Sequence, residues 1–384
     1  MTLQRVAVLG ATGSIGVQAL AVLAGYPERA RPVALAAATS LAALCEQARR
    51  LRPVALALEA PADPEQARVE LGAASPDARV FVGPGAAARL VAETECDVVV
   101  NGIVGAAGLH ASLATLARGA RLALANKETL VVGGALVRAA LALGGELIPV
   151  DSEHSAAFQC LRGRPEDVAR LTLTASGGAL RGHPDWRRAT REEVLRHPVW
   201  AMGPRITVDS ALLFNKGLEL IEAQVLFDLP WDRLDAVLHP QALIHAFVTY
   251  RDGSMVAQAA PADMKLPIQL ALSWPERWGP AVPALSPEQL AGLEIAALPP
   301  GRYPAFDLAC AAGRAGGTTP CVLNAADEVA VAAFLEGKIA LGQVVEVVEE
   351  VVTRHRSEPV ESLAQLERVD AWARDAARDE AVRA

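Results

Sequence analysis

The stretch VAVLGATGSIGVQAL, Val6 to Leu20, decides the fold. An apolar run of strand type stops at Gly10-Ala11-Thr12-Gly13-Ser14-Ile15-Gly16, and a helical spacing of apolar residues starts at once. Glycine at the first, fourth and seventh positions permits a tight turn, a close backbone approach and close helix–strand packing. A strand that feeds such a turn into a helix N-terminus is the context in which backbone N–H groups cradle a pyrophosphate. Glycine turns also serve packing alone, so the spacing is read together with what surrounds it.

Working outward, short β-type runs alternate with Ala/Leu-rich helical patterns as far as residue 150. Strands are predicted at Arg5–Leu9, Val33–Ala37, Ala55–Leu58, Val98–Val100, Arg121–Leu124 and Glu146–Val150. That alternation predicts βαβ units and a Rossmann-type parallel sheet over 1–150. An α+β catalytic domain with a mobile lid and dimer contacts is predicted over 151–274, including a long helix near 209–227. Seven prolines between Pro275 and Pro304 suggest a linker over 275–304. Amphipathic helical stretches from Thr319 onward complete a C-terminal helical bundle, assigned to 305–384.

The 384 residues are 52% hydrophobic with net charge −8, which describes a globular chain. An acidic chain without a basic block is a poor partner for nucleic acid or an anionic membrane. The run Val98–Ala117 approaches membrane length, but Asn101, His110 and three glycines divide it into strand, loop and helix. Five scattered cysteines without a CxxC spacing predict reduced thiols in a cytoplasm. The N-terminus runs directly into a strand without a signal-peptide pattern.

The end of the second strand, LAAATS, bears on the nucleotide. An acid is usual there when ribose hydroxyls are read, whereas Ala38-Thr39-Ser40 would not repel a 2′-phosphate. NADP is favoured. The second glycine-rich segment, NGIVGAAGLHASL, reads equally well as a further loop near the coenzyme or as close helix packing.

Three other stretches place polar groups where a core element has just surfaced. ELIPVDSEHSAAFQ puts Asp151, Ser152, Glu153 and His154 after an apolar strand. Such carboxylates repel one another unless a cation, proton or substrate lies between them. The plain reading is a helix N-terminus capped by Asp or Ser. LALANKETLV ends a strand in Asn126-Lys127-Glu128, and ALLFNKGLELIEA places Asn215, Lys216, Glu219 and Glu222 on one helical stripe. The plain reading of that stripe is a solvated face. Against it, only four of the 36 basic residues are lysines, at 127, 216, 265 and 338, and two of these follow asparagine. A compact ammonium suits a point contact with substrate oxygen. TASGGAL offers Ser176 beside two glycines as an anion nest, and His197 with Trp200 lies in a Pro-flanked segment of lid type.

GATGSIG, ANKETLV, PVDSEHSA, SGG, HPVWAMG and DSALLFNKGLELIEA follow one another in the order and spacing of the 1-deoxy-D-xylulose-5-phosphate reductoisomerase family. The chain resembles that family from residue 3 to the helices after LNAADEVAVAAFL. The resemblance implies a cytoplasmic homodimer of the non-mevalonate isoprenoid pathway. It implies rearrangement of a linear ketose phosphate and reduction with NADPH to 2-C-methyl-D-erythritol 4-phosphate. It also implies a divalent ion, Mg²⁺ or Mn²⁺ with Co²⁺ possible, on Asp151, Glu153 and Glu219. By the same resemblance Ser152 and Lys127 touch the sugar phosphate. Ser176, Ser210, Asn215 and Lys216 hold its phosphate, with His197 nearby and Trp200 closing over it. Gly10, Thr12, Gly13, Ser14, Ile15, Ala38, Thr39, Ser40, Asn126, Glu128 and Gly203 line the coenzyme.

Three departures from the family pattern stand out: Ala38-Thr39-Ser40 for Gly-Lys-Asn, Ala179-Leu180 after the paired glycines, and Pro204 after Gly203. The second should loosen its turn and the third alter lid motion. Two other readings remain open from the sequence. One is a binding protein on this fold. The other is an NADP-dependent dehydrogenase of a small phosphorylated or semialdehyde substrate, which would need a nucleophilic cysteine or an acid/base at the hydride site.

Overall fold

The computed structural model describes residues 3–161, 164–200 and 202–383. Two compact units emerge. The described residues of 1–129, 137–155 and 263–283 form one, and those of 130–136, 156–262 and 284–384 the other.

Up to residue 149 the elements alternate as the opening stretch implies: β1 (Gln4–Leu9), α1 (Ser14–Ala24), β2 (Ala30–Ala37), α2 (Leu41–Leu51), β3 (Ala55–Leu58), α3 (Pro64–Ala74), β4 (Arg79–Val82), α4 (Ala86–Glu93), β5 (Val98–Asn101), α5 (Gly108–Ala117), β6 (Arg121–Leu124), α6 (Glu128–Ala142) and β7 (Glu146–Pro149). The strands form one parallel sheet in the order β4-β3-β2-β1-β5-β6-β7. The order reverses at β1, so the glycine turn after β1 opens at the switch point where such sheets bind ligands. Ala, Val and Leu fill both faces of the central strands, as a sheet covered on both sides requires.

β4 escaped the sequence reading. RVFV is four residues long, half exposed and paired on one side, so it carries too little apolar signal to separate from the loop. The run Val98–Ala117 is strand, loop and helix, as expected. Among the described residues no helix is long and apolar enough to cross a membrane.

From the 151–155 turn the chain continues through α7 (Ser152–Cys160) into β8 (Val168–Ala175), α8 (Arg191–Val194), α9 (Pro204–Ala211), α10 (Phe214–Phe227), β9 (Leu234–Leu238), β10 (Ile244–Tyr250), β11 (Met255–Ala259) and α11 (Lys265–Ser273). There follow β12 (Ala296–Ala297), α12 (Pro304–Ala315), α13 (Thr319–Leu335), α14 (Leu341–Arg354) and α15 (Leu363–Arg383). The second unit's sheet is mixed, in the order β11-β10-β8-β9-β12.

The long helix expected near 209–227 is two helices, α9 and α10. Leu213 lies between them at φ +56°, a left-handed conformation that ends one helix and starts the other. The units also cut the chain differently from boundaries at 150, 274 and 304. α11 and the segment to residue 283 belong with the first unit because α11 packs on α1, β6 and β7. There Tyr26 Oη donates to the Gly279 carbonyl at 2.7 Å. In the second unit the C-terminal helices share one core with α9 and α10: Val208, Leu212, Phe214 and Ile221 pack with Val322, Val344 and Ala373.

Candidate active site

In the first unit the turn after β1 is shaped by close approach. Gly10 has φ +74°, and a Cβ there would lie 2.5 Å from the Gly102 carbonyl oxygen. A Cβ on Gly16 would lie 2.2 Å from the Gly10 oxygen. α1 therefore starts hard against the turn, with Thr12 and Ser14 leading into it. Gly13 caps α1 without a side-chain bond, and no acid stands in its first turn. Its leading N–H groups and dipole are left to an anion, which fits a pyrophosphate. Gln47 Nε2 donates to the Ala11 carbonyl at 2.8 Å and steadies the turn from α2.

Gly102 packs on Ile15 and Gly108 on the Asn126 side chain, so the second glycine segment supplies close packing around this turn. Beneath it runs a buried polar network that the sequence reading missed. Asn101 Nδ2 donates to Ser112 Oγ at 2.8 Å, and Ser112 meets Thr129 Oγ1 at 3.0 Å. Asn126 accepts from the Thr129 amide at 2.8 Å and donates to Ile103 O, Gly105 O and Glu128 Oε2. The Asn126 amide and the Glu128 carboxylate are thus engaged in fixing the loop after β5 and the start of α6. Asn101 showed in the sequence only as a polar break in an apolar run.

Ala38, Thr39 and Ser40 are exposed at the carboxyl end of β2. The adjacent strand does bring an acid: Glu59 N donates to the Ala37 carbonyl. Its carboxylate is turned away to the start of α4, where it accepts from the amides of Gly85 and Ala87.

Asp151 stands just past β7 and does two things. Oδ1 accepts from the Glu153 amide at 3.1 Å and the His154 amide at 3.3 Å, so it caps α7 as the plain reading held. Its carboxylate also pairs with the Lys127 ammonium and, at 3.0 Å, with His154 Nδ1. Burial pushes the Asp151 carboxyl up. Lys127 and His154 outweigh that and hold it well below the usual carboxylate range. His154 is fully buried, and its position three residues after Asp151 on a helix is the signal the sequence carries for this pairing. Ser152 Oγ donates to Glu153 Oε2 at 2.8 Å, and ligand oxygens of Asp151 and Glu153 lie within 4.8 Å of each other. Hard oxygen donors at this separation suit Mg²⁺ or Mn²⁺.

In the second unit Ser176 follows β8, and Gly177 and Gly178 take φ of +86° and +63°. Gly178 N donates to Ser176 Oγ at 3.2 Å. A Cβ on Gly178 would lie 2.5 Å from the Ser210 carbonyl oxygen, so this turn rests directly on α9. The loosening expected from Ala179-Leu180 does not occur. Leu180 is buried in the helical core, and Arg302 grips the carbonyls of Leu180 at 3.0 Å and His183 at 2.7 Å.

His197 Nε2 lies 3.2 Å from Ser176 Oγ, while Nδ1 accepts from the amides of Val199 and Trp200. Those two donors put the ring proton on Nε2, facing Ser176. Burial lowers the His197 pKa. Trp200 is half-buried, its ring 6.4 Å from that of His245. Gly203 is exposed immediately before α9.

The stripe on α10 is no solvated face. Lys216, Glu219 and Glu222 are 4%, 1% and 3% exposed. Glu219 accepts from Asn215 and pairs with Lys216. Burying two carboxylates and an ammonium is costly unless they are matched, and the Lys216–Glu219 pair offsets part of that cost. All five cysteines are buried and none is in a disulfide. Burial pushes Cys310 and Cys321 up to about 12, far from thiolate chemistry.

A switch-point glycine turn and a paired-carboxylate turn on one parallel sheet mark a nucleotide-binding α/β protein with a polar site at its strand ends. Comparison with known proteins makes the assignment specific. Residues 6–134 match the family described as 1-deoxy-D-xylulose 5-phosphate reductoisomerase. Residues 147–227 match that family's C-terminal domain, and residues 259–376 the DXP reductoisomerase C-terminal domain. The 1-deoxy-D-xylulose 5-phosphate reductoisomerase of Moorella thermoacetica is 48% identical over 377 residues, 97% of this chain and 96% of that protein. The enzyme of the same description from Mycobacterium tuberculosis is 48% identical over 380 residues, 97% of this chain and 90% of its own length. The solved Zymomonas mobilis enzyme in complex with NADPH superimposes with a TM-score of 0.90 at 36% identity, covering 99% of each chain. A DOX-P reductoisomerase in complex with NADPH, fosmidomycin and magnesium gives 0.92 at 35% identity, covering 99% of this chain and 98% of that one. The chain belongs to the 1-deoxy-D-xylulose 5-phosphate reductoisomerase family.

Proposed function

We propose that the chain converts 1-deoxy-D-xylulose 5-phosphate to 2-C-methyl-D-erythritol 4-phosphate, with NADPH and a divalent metal ion, by rearrangement followed by reduction. The observation that carries this reading is the carboxylate turn at Asp151, closed by Lys127, on the sheet whose β1 turn fits a pyrophosphate. Its reach over the whole chain rests on the family match.

Asp151, Glu153 and Glu219 are assigned to the metal, Mg²⁺ or Mn²⁺ with Co²⁺ as a substitute. When bound, the ion supplies a Lewis acid and template for a carbonyl and its neighbouring hydroxyl, and NADPH supplies the hydride. Lys127, held against Asp151, offers an ammonium to a substrate oxygen, with Ser152 beside it. Ser176, Ser210, Asn215 and Lys216 take the phosphate, and His197 presents its Nε2 proton toward the same nest. Trp200 covers the bound sugar and excludes water. The coenzyme lies along Gly10, Thr12, Gly13, Ser14 and Ile15, with Asn126, Glu128 and Gly203. Ala38, Thr39 and Ser40 face its 2′-phosphate.

The homodimer has a candidate surface at β11, an edge strand whose Met255 and Val256 are exposed. Five buried cysteines outside any disulfide suit a reducing cytoplasm. The burial of every cysteine disfavours the semialdehyde alternative. The test is NADPH oxidation by the purified protein with 1-deoxy-D-xylulose 5-phosphate against a small semialdehyde. Turnover of the semialdehyde alone would overturn the proposal.

A further inference from the structure

We infer that Arg205 is a positioning residue for the phosphate end of the substrate site, acting through α9 and Ser210. The inference rests on the phosphate reading above and extends it to a residue outside the site.

Arg205 is the second residue of α9, directly after the segment that carries His197 and Trp200. A cation in a helix's first turn opposes the helix dipole, so an arginine there needs partners that offset the cost. Most of those partners lie on α13. Arg205 Nη1 reaches Glu328 Oε1 at 3.1 Å, and Nη2 reaches Asn324 Oδ1 at 3.1 Å and Asp327 Oδ2 at 3.4 Å. Asn324, Asp327 and Glu328 fall on one face of α13. Asp209, one turn along α9, stands 3.7 Å from Arg205 Nε. Asn324, Asp327 and Asp209 are buried. Glu328 is gripped from its other side by Arg374 of α15 at 2.6 Å, and Arg374 also holds Asp370. A planar guanidinium thus ties α9 to a braced pair of helices in the same unit.

α9 needs such a tie. It is eight residues long, begins at Pro204 and has no side-chain cap. Helices this short take their stability from tertiary contacts. Its last turn carries Ser210, whose carbonyl is the surface against which Gly178 and the Ser176 nest are fitted. A shift of α9 by a few tenths of an ångström would move Ser210 and the nest together.

The experiment compares Arg205→Ala, Arg205→Lys and Glu328→Gln with Lys216→Ala, each assayed well below its measured Tm. Arg205→Ala should raise KM for 1-deoxy-D-xylulose 5-phosphate about tenfold with kcat within about threefold, the pattern of lost ground-state binding. Inorganic phosphate should weaken in parallel as a competitive inhibitor, while the Kd for NADPH stays unchanged. Arg205→Lys should recover part of the loss, and Glu328→Gln should raise the same KM without touching α9. If Arg205→Ala does not fold, the other two Arg205-network variants decide. Wild-type KM and phosphate inhibition in folded Arg205 and Glu328 variants would overturn the inference, provided Lys216→Ala raises KM. An unaltered KM in Lys216→Ala would instead strike at the phosphate reading itself.

Discussion

Gly178 and Ser210 are in contact that no side chain could share: a Cβ on Gly178 would stand 2.5 Å from the Ser210 carbonyl oxygen and 2.7 Å from Ala211 Cα. Gly178 also has φ +63°. Gly178→Ala therefore combines a left-handed backbone penalty with a backbone clash. It should destabilise the protein by about 1–3 kcal/mol and raise KM for the sugar phosphate more than it lowers kcat. Thermal unfolding and steady-state kinetics check both. A variant with wild-type KM would show that the nest does not hold the substrate.

The two Asn-Lys pairs should separate in kinetics. Lys216 is proposed for the phosphate, which does not react, so Lys216→Ala should mainly raise KM. Lys127 is proposed near the reacting oxygens, so Lys127→Ala should also slow turnover. Each loss of a charge-assisted contact should cost roughly 1.5–3 kcal/mol of transition-state binding. Equal effects on kcat from both would remove the distinction.

Chelation should abolish NADPH oxidation and product formation together, because rearrangement precedes reduction, and Mg²⁺ or Mn²⁺ should restore both. Binding itself gives a second readout. Mn²⁺ titrated into the protein and followed by electron paramagnetic resonance should bind, and Glu153→Gln with Glu219→Gln should remove that binding. Activity after exhaustive chelation, or undiminished Mn²⁺ binding in the double variant, would end the metal assignment.

His197 should titrate below 6.5, its ordinary value, because burial favours the neutral ring. Protonating Nδ1 would also turn an acceptor of two backbone amides into a third donor. A depressed folded-state pKa means the unfolded chain takes up its proton first. The stability His197 contributes is present above pH 6.5 and is lost as pH falls toward the folded-state value. An NMR titration of the His197 ring checks this, and a midpoint at or above 6.5 would contradict it.

What could be read from sequence divides along physical lines. Period and punctuation gave the parallel sheet, since β1, β2, β3 and β5 are nearly pure apolar runs bounded by turns. The edge strand Arg79–Val82 lacked that signal. The break at Leu213 was invisible because leucine has no preference for φ +56°; only the packing of α9 and α10 demands it. Chemistry-bearing residues stood out where their type was unusual for this chain, as at Lys127 and Lys216. Residues that act by supporting others did not: Asn101, His154, Arg205 and Arg302 are ordinary in composition, and their roles exist only in the contacts they make.

The coenzyme offers the sharpest test because the exposed end of β2 carries neither an acid nor a cation. NADPH should be preferred over NADH, since Ala38, Thr39 and Ser40 carry no acid and Glu59 is committed to the α4 amides. The preference should be modest. Thr39 and Ser40 offer hydroxyl hydrogen bonds but no cation, and charged hydrogen bonds are roughly twice as strong as neutral ones. Arg49 and Arg50 cannot substitute easily, because they stand in the last turn of α2, about 12 Å along the helix from its start. Thr39→Arg should tighten NADPH selectively by about 1 kcal/mol or more. Thr39→Asp should shift the preference toward NADH by repelling the 2′-phosphate. The measurement is the ratio of kcat/KM for the two coenzymes, with direct Kd values by fluorescence titration. If neither substitution moves the ratio, the 2′-phosphate is not read at the end of β2.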